Sequence, residues 1–283
     1  GVGACGVCEN SFVYGLPYEC LGMSGKPVMM SSMETEPYIK GGFSEYMYIL
    51  PGTYVWQVPK DMPSSVASLL DPMAVAMRAV ELAWRSPGVL EDVLNPASVA
   101  LIIGDGQIGA LTAGCLRMLG VSKILIAGGR TERLKVAQEI SNADCILNYH
   151  TQSLEERKEI IGSYTGGAGA DVVFQCVGNG RAFRDGIELM RSVGTLVEVG
   201  NIASTSPIEF DPARDLCSKH ATYIGMSVNT PMAFNKAFHM LCKYKELHLE
   251  KLLTNRCTLD TVLETMMNSS DPNYIKGWVD LAK

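Results

Sequence analysis

The residues Ser98-Val99-Ala100-Leu101-Ile102-Ile103 run unbroken into Gly104-Asp105-Gly106-Gln107-Ile108-Gly109, and an apolar helix-period stretch follows. An apolar strand that ends in Gly-x-Gly-x-x-Gly and restarts as a helix is the pattern of a turn that cradles a dinucleotide pyrophosphate. Gly104 permits the tight turn, Gly106 lets the backbone approach the phosphates, and Gly109 lets the helix close on the strand. Gln107 and Ile108 open a helix whose free N–H groups face the anion. The alternative is a structural glycine turn in some other α/β protein. A second apolar strand at 123–127, and the helix–strand alternation beyond it, favour the dinucleotide site.

The rest of the composition is compatible with a large globular core. The chain has 283 residues, 47% apolar and 19% charged, enough for two domains. A net charge of −6 and a pI near 5.3 argue against nucleic acid as a partner. Apolar runs are strand-sized, short of the roughly 20 residues that span a bilayer, and the first residues lack a secretory pattern. Nine cysteines without a short-chain disulfide framework suit a reducing compartment, so the expectation is a cytoplasmic protein with no membrane partner.

Residues 1 to about 70 carry Gly- and Pro-bounded alternating runs, at 42–49 and 54–58, that read as β structure with loops. A helix is expected from Asp71-Pro72 to Trp84. Beyond it strands are expected at 98–103, 123–127, 145–147, 171–176, 195–199 and 222–226, with helices near 107–119, 131–141, 153–164, 181–192 and 232–245. This is an α/β chain with a doubly wound parallel sheet. The expected division is 1–72, 73–246 for the dinucleotide domain, and 247–283 returning to the first domain.

Several separated motifs then agree: Gly41-Gly42-Phe43-Ser44-Glu45-Tyr46, Asp71-Pro72-Met73-Ala74-Val75-Ala76-Met77-Arg78-Ala79, the glycine turn, Thr165-Gly166-Gly167-Ala168-Gly169-Ala170-Asp171-Val172-Val173-Phe174, and Gly194-Thr195-Leu196-Val197-Glu198-Val199-Gly200. In order and spacing the chain resembles the medium-chain dehydrogenase/reductase superfamily, within it the zinc-type polyol, threonine and alcohol dehydrogenases. The resemblance implies a GroES-like β domain that holds a catalytic zinc and a Rossmann domain that holds NAD(P). It also implies early zinc ligands, a cysteine and a Gly-His-Glu segment, ahead of the part that Gly1-Val2-Gly3-Ala4 resembles. The four histidines, His150, His220, His239 and His248, all lie in or after the dinucleotide half. The expectation is therefore a partial GroES-like domain that does not build the zinc site alone.

By the same resemblance Asp71 stands where relatives place an acidic zinc ligand. As a residue it reads equally as a helix N-cap with Pro72 at the first helical position. Cys5, Cys8 and Cys20 resemble the lobe that carries a structural zinc on four cysteines, with Ser11 at the third position; serine is a poor ligand beside thiolates, and free thiols are the alternative.

Dinucleotide domains that take NAD place a carboxylate after the second strand, about 20 residues past the glycines. Here the turn reads Ala127-Gly128-Gly129-Arg130-Thr131-Glu132-Arg133. With Gly128 at the acid's place, and Arg130 and Arg133 as guanidinium donors, the turn reads toward NADP, with NAD the alternative in which both arginines are solvated. On this reading Gly128→Asp and Arg130→Ala each move preference toward NAD. The remaining cofactor wall is expected at Cys176-Val177-Gly178, Val199-Gly200-Asn201 and Met226-Ser227, the carboxyl ends of strands; Cys176 reads as a packed residue and not a nucleophile. The function implied is hydride transfer between NAD(P) and a secondary alcohol or polyol, zinc-assisted in the full-length protein. A zinc-free quinone or enone reductase, or a non-catalytic cofactor-binding protein, remain the alternatives. The apolar sixth strand implies a homodimer or homotetramer.

Overall fold

The computed structural model describes residues 7–14, 34, 36, 38–39, 41–49, 53–84, 94–203 and 207–281. The chain forms two compact units: Gly1–Ala74 with Val228–Lys243 and Leu253–Lys283, and Val75–Ser227 with Tyr244–Leu252.

The first unit opens with short helices α1 (Glu9–Phe12) and α2 (Ser64–Ala67) and then α3 (Leu70–Trp84), which runs across the division. Met73, Ala76, Met77, Val80 and Ala83 are buried along α3, the three- and four-residue spacing of one apolar face. The helix begins at Leu70, so Asp71 is not its cap; Asp71 and Pro72 lie inside the first turn, where proline removes no helical hydrogen bond. The alternating runs at 42–49 and 54–58 form no strands. A strand exists only through a ladder, and between 38–39 and 46–49 the structure has a single backbone bond, Tyr48 N–H to Ile39 O at 2.8 Å. Phe43, Tyr46, Ile49 and Val55 stand exposed. Among the described residues of 1–72 no ladder is formed.

The second unit is a parallel sheet of β1 (Val99–Ile103), β2 (Lys123–Gly128), β3 (Cys145–Asn148), β4 (Ala170–Gln175), β5 (Met190–Glu198) and β6 (Thr222–Gly225), in the order β3-β2-β1-β4-β5-β6. Helices α4 (Gln107–Met118), α5 (Thr131–Ser141), α6 (Leu154–Thr165) and α7 (Gly180–Leu189) connect the strands. This is the doubly wound order, in which the chain leaves β1 on one side and returns beside it as β4. Leu101, Ile102, Leu125, Ile126 and Phe174 are fully buried, each contributing about 1.5–3 kcal/mol. Local signals set the helix starts: Ser153 and Glu156 form a reciprocal capping box on α6, and the Asn179 side chain caps α7.

One boundary differs. The helix expected to 192 ends at Leu189, and β5 begins at Met190. Ala170 pairs with Met190 but Val172 pairs with Thr195, so the intervening residues bulge out of the ladder, which local periodicity does not report.

The remaining chain adds α8 (Pro231–Lys243), β7 (Asn255–Cys257), α9 (Val262–Met267) and β8 (Gly277–Val279), with β7 and β8 paired in parallel. The sequence division gave α8 to 73–246, whereas it groups with the first unit. Its Ala233, Ala237 and Leu241 are buried, and Trp56 stacks on Phe234 at 5.8 Å and donates to the Asn235 side chain at 3.2 Å. Among the described residues no helix is long and apolar enough to cross a membrane.

Candidate functional site

The glycine turn lies where β1 and β4 diverge. Gly104 has φ +137°, and a Cβ there would meet Cys176 Cβ and Val177 Cγ2 at 3.2 Å; only glycine takes this backbone without strain. A Cβ on Gly109 would overlap the Gly104 carbonyl, with its carbon at 2.9 Å, so α4 can close on β1 only without a side chain. Gly106 caps α4 and faces open space, with nothing within 4 Å of an added Cβ. Beside it Gln107 Oε1 is buried without a partner among the described residues, and so is Asn201 Oδ1 in the turn after β5. An open backbone cradle at a helix N-terminus, flanked by orphaned acceptors, fits a phosphate-bearing dinucleotide with further donors.

The strand-end segments are joined by backbone bonds. Cys176 N–H donates to Ile103 O at 2.8 Å and Gly200 N–H to Gln175 O at 2.9 Å. Gly178 approaches Gly200, and a Cβ on Gly200 would meet the Val177 carbonyl carbon at 2.5 Å. Fully buried Gln175, which sequence reading passed over, holds the first loop: its Oε1 accepts from Val177 N–H and its Nε2 donates to Val177 O, both at 2.7 Å. Burial pushes the Cys176 thiol up to about 12, so it stays protonated at neutral pH and is no nucleophile. Glu198 at the end of β5 accepts from the N–H groups of Gly200 and Asn201 at 2.9 and 2.8 Å, while burial raises its carboxyl above the usual range. Val199 is buried after the same strand. Met226 N–H donates to Glu198 O at 3.1 Å and Ser227 O accepts from Arg78 at 2.7 Å, which places both at the carboxyl end of the sheet.

The turn after β2 holds a group that its own residues do not supply. The end of β2 carries Gly128 and not an acid, yet a carboxylate is there: Asp105, only 8% exposed, accepts from the N–H groups of Gly129 at 2.9 Å and Arg130 at 2.6 Å through Oδ2. A Cβ on Gly128 would lie 2.6 Å from Asp105 Cβ and 2.8 Å from Oδ2. Gly128→Asp would therefore displace Asp105 before it could act as a simple charge added beside a ribose. Gly129 is equally confined, with His150 Nε2 at 2.9 Å from an added Cβ. The Arg130 side chain is half-buried, and Arg133 is buried within α5 and not the solvated residue of the alternative reading. The signal for Asp105 in the sequence was an acid inside the glycine motif together with a glycine pair after β2.

The chain is similar to known proteins. A family model described as zinc-binding dehydrogenase matches residues 108–243. The chain is 29% identical over 208 residues to L-threonine 3-dehydrogenase of Stenotrophomonas maltophilia, spanning 73% of this chain and 53% of that protein. It is 26% identical over 198 residues to a probable D-xylulose reductase A of Aspergillus niger, spanning 70% and 51%. The crystal structure of an alcohol dehydrogenase from Thermotoga maritima superposes with TM-score 0.85 at 27% identity, covering 97% of this chain and 72% of that one. The chain is thus similar to zinc-type dehydrogenases, the family model lying on residues 108–243. It spans about half the length of the curated relatives it matches.

The likeness to zinc-binding dehydrogenases raises the question of a metal. Asp71 is exposed on α3; its Oδ1 and its backbone O both accept from Asn229 Nδ2 at 3.3 Å. Near it burial lowers the Lys276 amine, against the pull of the Asp71 charge. Cys8 Sγ lies 3.1 Å from Ser11 Oγ, and Cys5 and Cys20 lie outside the described residues. Among the described residues no cluster of three or more His, Cys, Asp or Glu side chains could hold a metal ion. The described residues do not fit a zinc site.

Proposed function

We propose that the chain binds a nicotinamide dinucleotide across the carboxyl ends of β1, β4 and β5, and belongs to a dehydrogenase that interconverts a secondary alcohol or polyol with its ketone. The observation that carries this is the glycine turn at the switch point of a doubly wound sheet, with Gly106 open to a ligand and Gly104 and Gly109 closed by the protein itself. A bound nicotinamide supplies hydride acceptance and return. The chain's residues do the rest: α4 presents N–H groups to the pyrophosphate, and Gln175 fixes the loop that holds Cys176, Val177 and Gly178. The protonated Cys176 thiol and the valines give an apolar wall that excludes water. The names of the relatives, L-threonine 3-dehydrogenase and D-xylulose reductase, support a hydroxyl-bearing substrate.

The outer edge of β6 carries no strand among the described residues, and pairing it with a second copy would give a dimer. Calorimetric titration of the chain with NAD+ and NADP+ tests the cofactor: saturable binding of one is expected, and binding of neither overturns the proposal. Absorbance of reduced nicotinamide with a panel of secondary alcohols and polyols tests the substrate class; reduction of quinones or enones alone would overturn it. Light scattering tests the dimer, which a monomeric mass would exclude.

A further inference from the structure

The geometry points to Asp105 as the residue that reads the adenosine 2′ position of the cofactor and selects NAD+ over NADP+. The inference rests on the dinucleotide reading above and deepens it. Dinucleotide domains that take NAD place a carboxylate at the carboxyl end of the second strand, where it accepts from the ribose hydroxyl. In this chain that position is Gly128, which has no side chain. The carboxylate arrives instead from the neighbouring strand: β1 pairs Ile103 with Ala127, which sets Asp105 beside Gly129.

Three observations show that the arrangement is built. The Asp105 Oδ2 lies 2.8 Å from where a Gly128 Cβ would stand, so the acid occupies the volume that a side chain at 128 would fill. It is buried, and it takes the N–H groups of Gly129 and Arg130 at 2.9 and 2.6 Å. A carboxylate already holds those two backbone donors, so they are not left open to a 2′-phosphate at this turn. No other Asp105 bond is present among the described residues, so Oδ1 keeps acceptor capacity for a hydroxyl. A 2′-phosphate would bring like charge against the same carboxylate. The half-buried Arg130 guanidinium offers the opposite preference, and the experiment sets the two against each other.

The test is calorimetric measurement of dissociation constants on the 283-residue chain, for NAD+, NADP+ and NAD+ lacking the adenosine 2′-hydroxyl, in wild type, Asp105→Asn and Arg130→Ala. Wild type should bind NAD+ at least about tenfold more tightly than NADP+, and the 2′-deoxy cofactor about tenfold more weakly than NAD+. Asp105→Asn keeps an acceptor for both N–H groups but removes the charge, and should narrow the NAD+/NADP+ ratio by about ten- to a hundredfold, mainly by tightening NADP+. Arg130→Ala should leave the order unchanged. Wild-type preference for NADP+, or equal binding of NAD+ and its 2′-deoxy form, overturns the role of Asp105 while the dinucleotide reading stands; these arms need no variant to fold. Binding of neither cofactor overturns both.

Discussion

If Asp105 and Gly128 share one volume, Gly128→Ala should be costly in this chain and harmless once Asp105 is removed. Gly128 closes β2 outside the left-handed region, so alanine meets no backbone strain there. It meets Asp105 Cβ at 2.6 Å and Oδ2 at 2.8 Å. To relieve that overlap the side chain of Asp105 must swing away from the N–H groups of Gly129 and Arg130. Overpacking costs about 1–3 kcal/mol, and loosening bonds to a charged acceptor about 1.5–3 kcal/mol. We expect Gly128→Ala to lower stability by about 2–4 kcal/mol. In the Asp105→Gly background the obstructing atoms are gone, and the same substitution should be neutral or stabilise by about 0.5 kcal/mol, since alanine restricts the unfolded chain. Urea denaturation of wild type, both single variants and the double variant, followed by circular dichroism, gives the coupling directly. A coupling of at least about 2 kcal/mol is expected; additivity within about 0.5 kcal/mol would refute the shared volume.

Gly109→Ala should force α4 off β1 and lower the thermal midpoint while weakening dinucleotide binding; unchanged binding in calorimetry would contradict the close helix–strand contact. Asp215 is buried and its carboxyl is held well below the usual range by Arg214 and Arg184, at 2.8 and 2.5 Å. Its stabilising contribution is present above the unfolded carboxylate range and lost as pH falls. Asp215→Asn should cost about 1.5–3 kcal/mol near neutral pH in denaturant titration, the gap to wild type closing in strong acid. Glu198 has the opposite sign: burial raises its carboxyl, so ionisation costs stability as pH rises through and above the unfolded range. Glu198→Gln should raise the thermal midpoint at pH 7 relative to wild type more than at pH 4; a larger gain in acid would contradict the shift.

Most of the dinucleotide unit was legible in the chain because its strands are buried on both faces. Runs such as Val99-Ala100-Leu101-Ile102-Ile103 must then be apolar throughout, and the helices between them carry caps such as Ser153 and Asn179 that are local in sequence. The glycine turn was legible for the same reason, since the left-handed φ of Gly104 is a property of one residue. Three things were not. The alternating runs at 42–58 carry a strand's period, but a period does not supply a ladder partner. The start of β5 depends on a register slip against β4, and the place of α8 depends on Trp56, far away in the chain. The cofactor turn shows the limit most clearly. By itself the sequence determined that β2 ends on glycine and not on an acid; only the pairing of Ile103 with Ala127 brings Asp105 across to the N–H groups of Gly129 and Arg130, because a contact between neighbouring strands is set by their register and not by either strand alone.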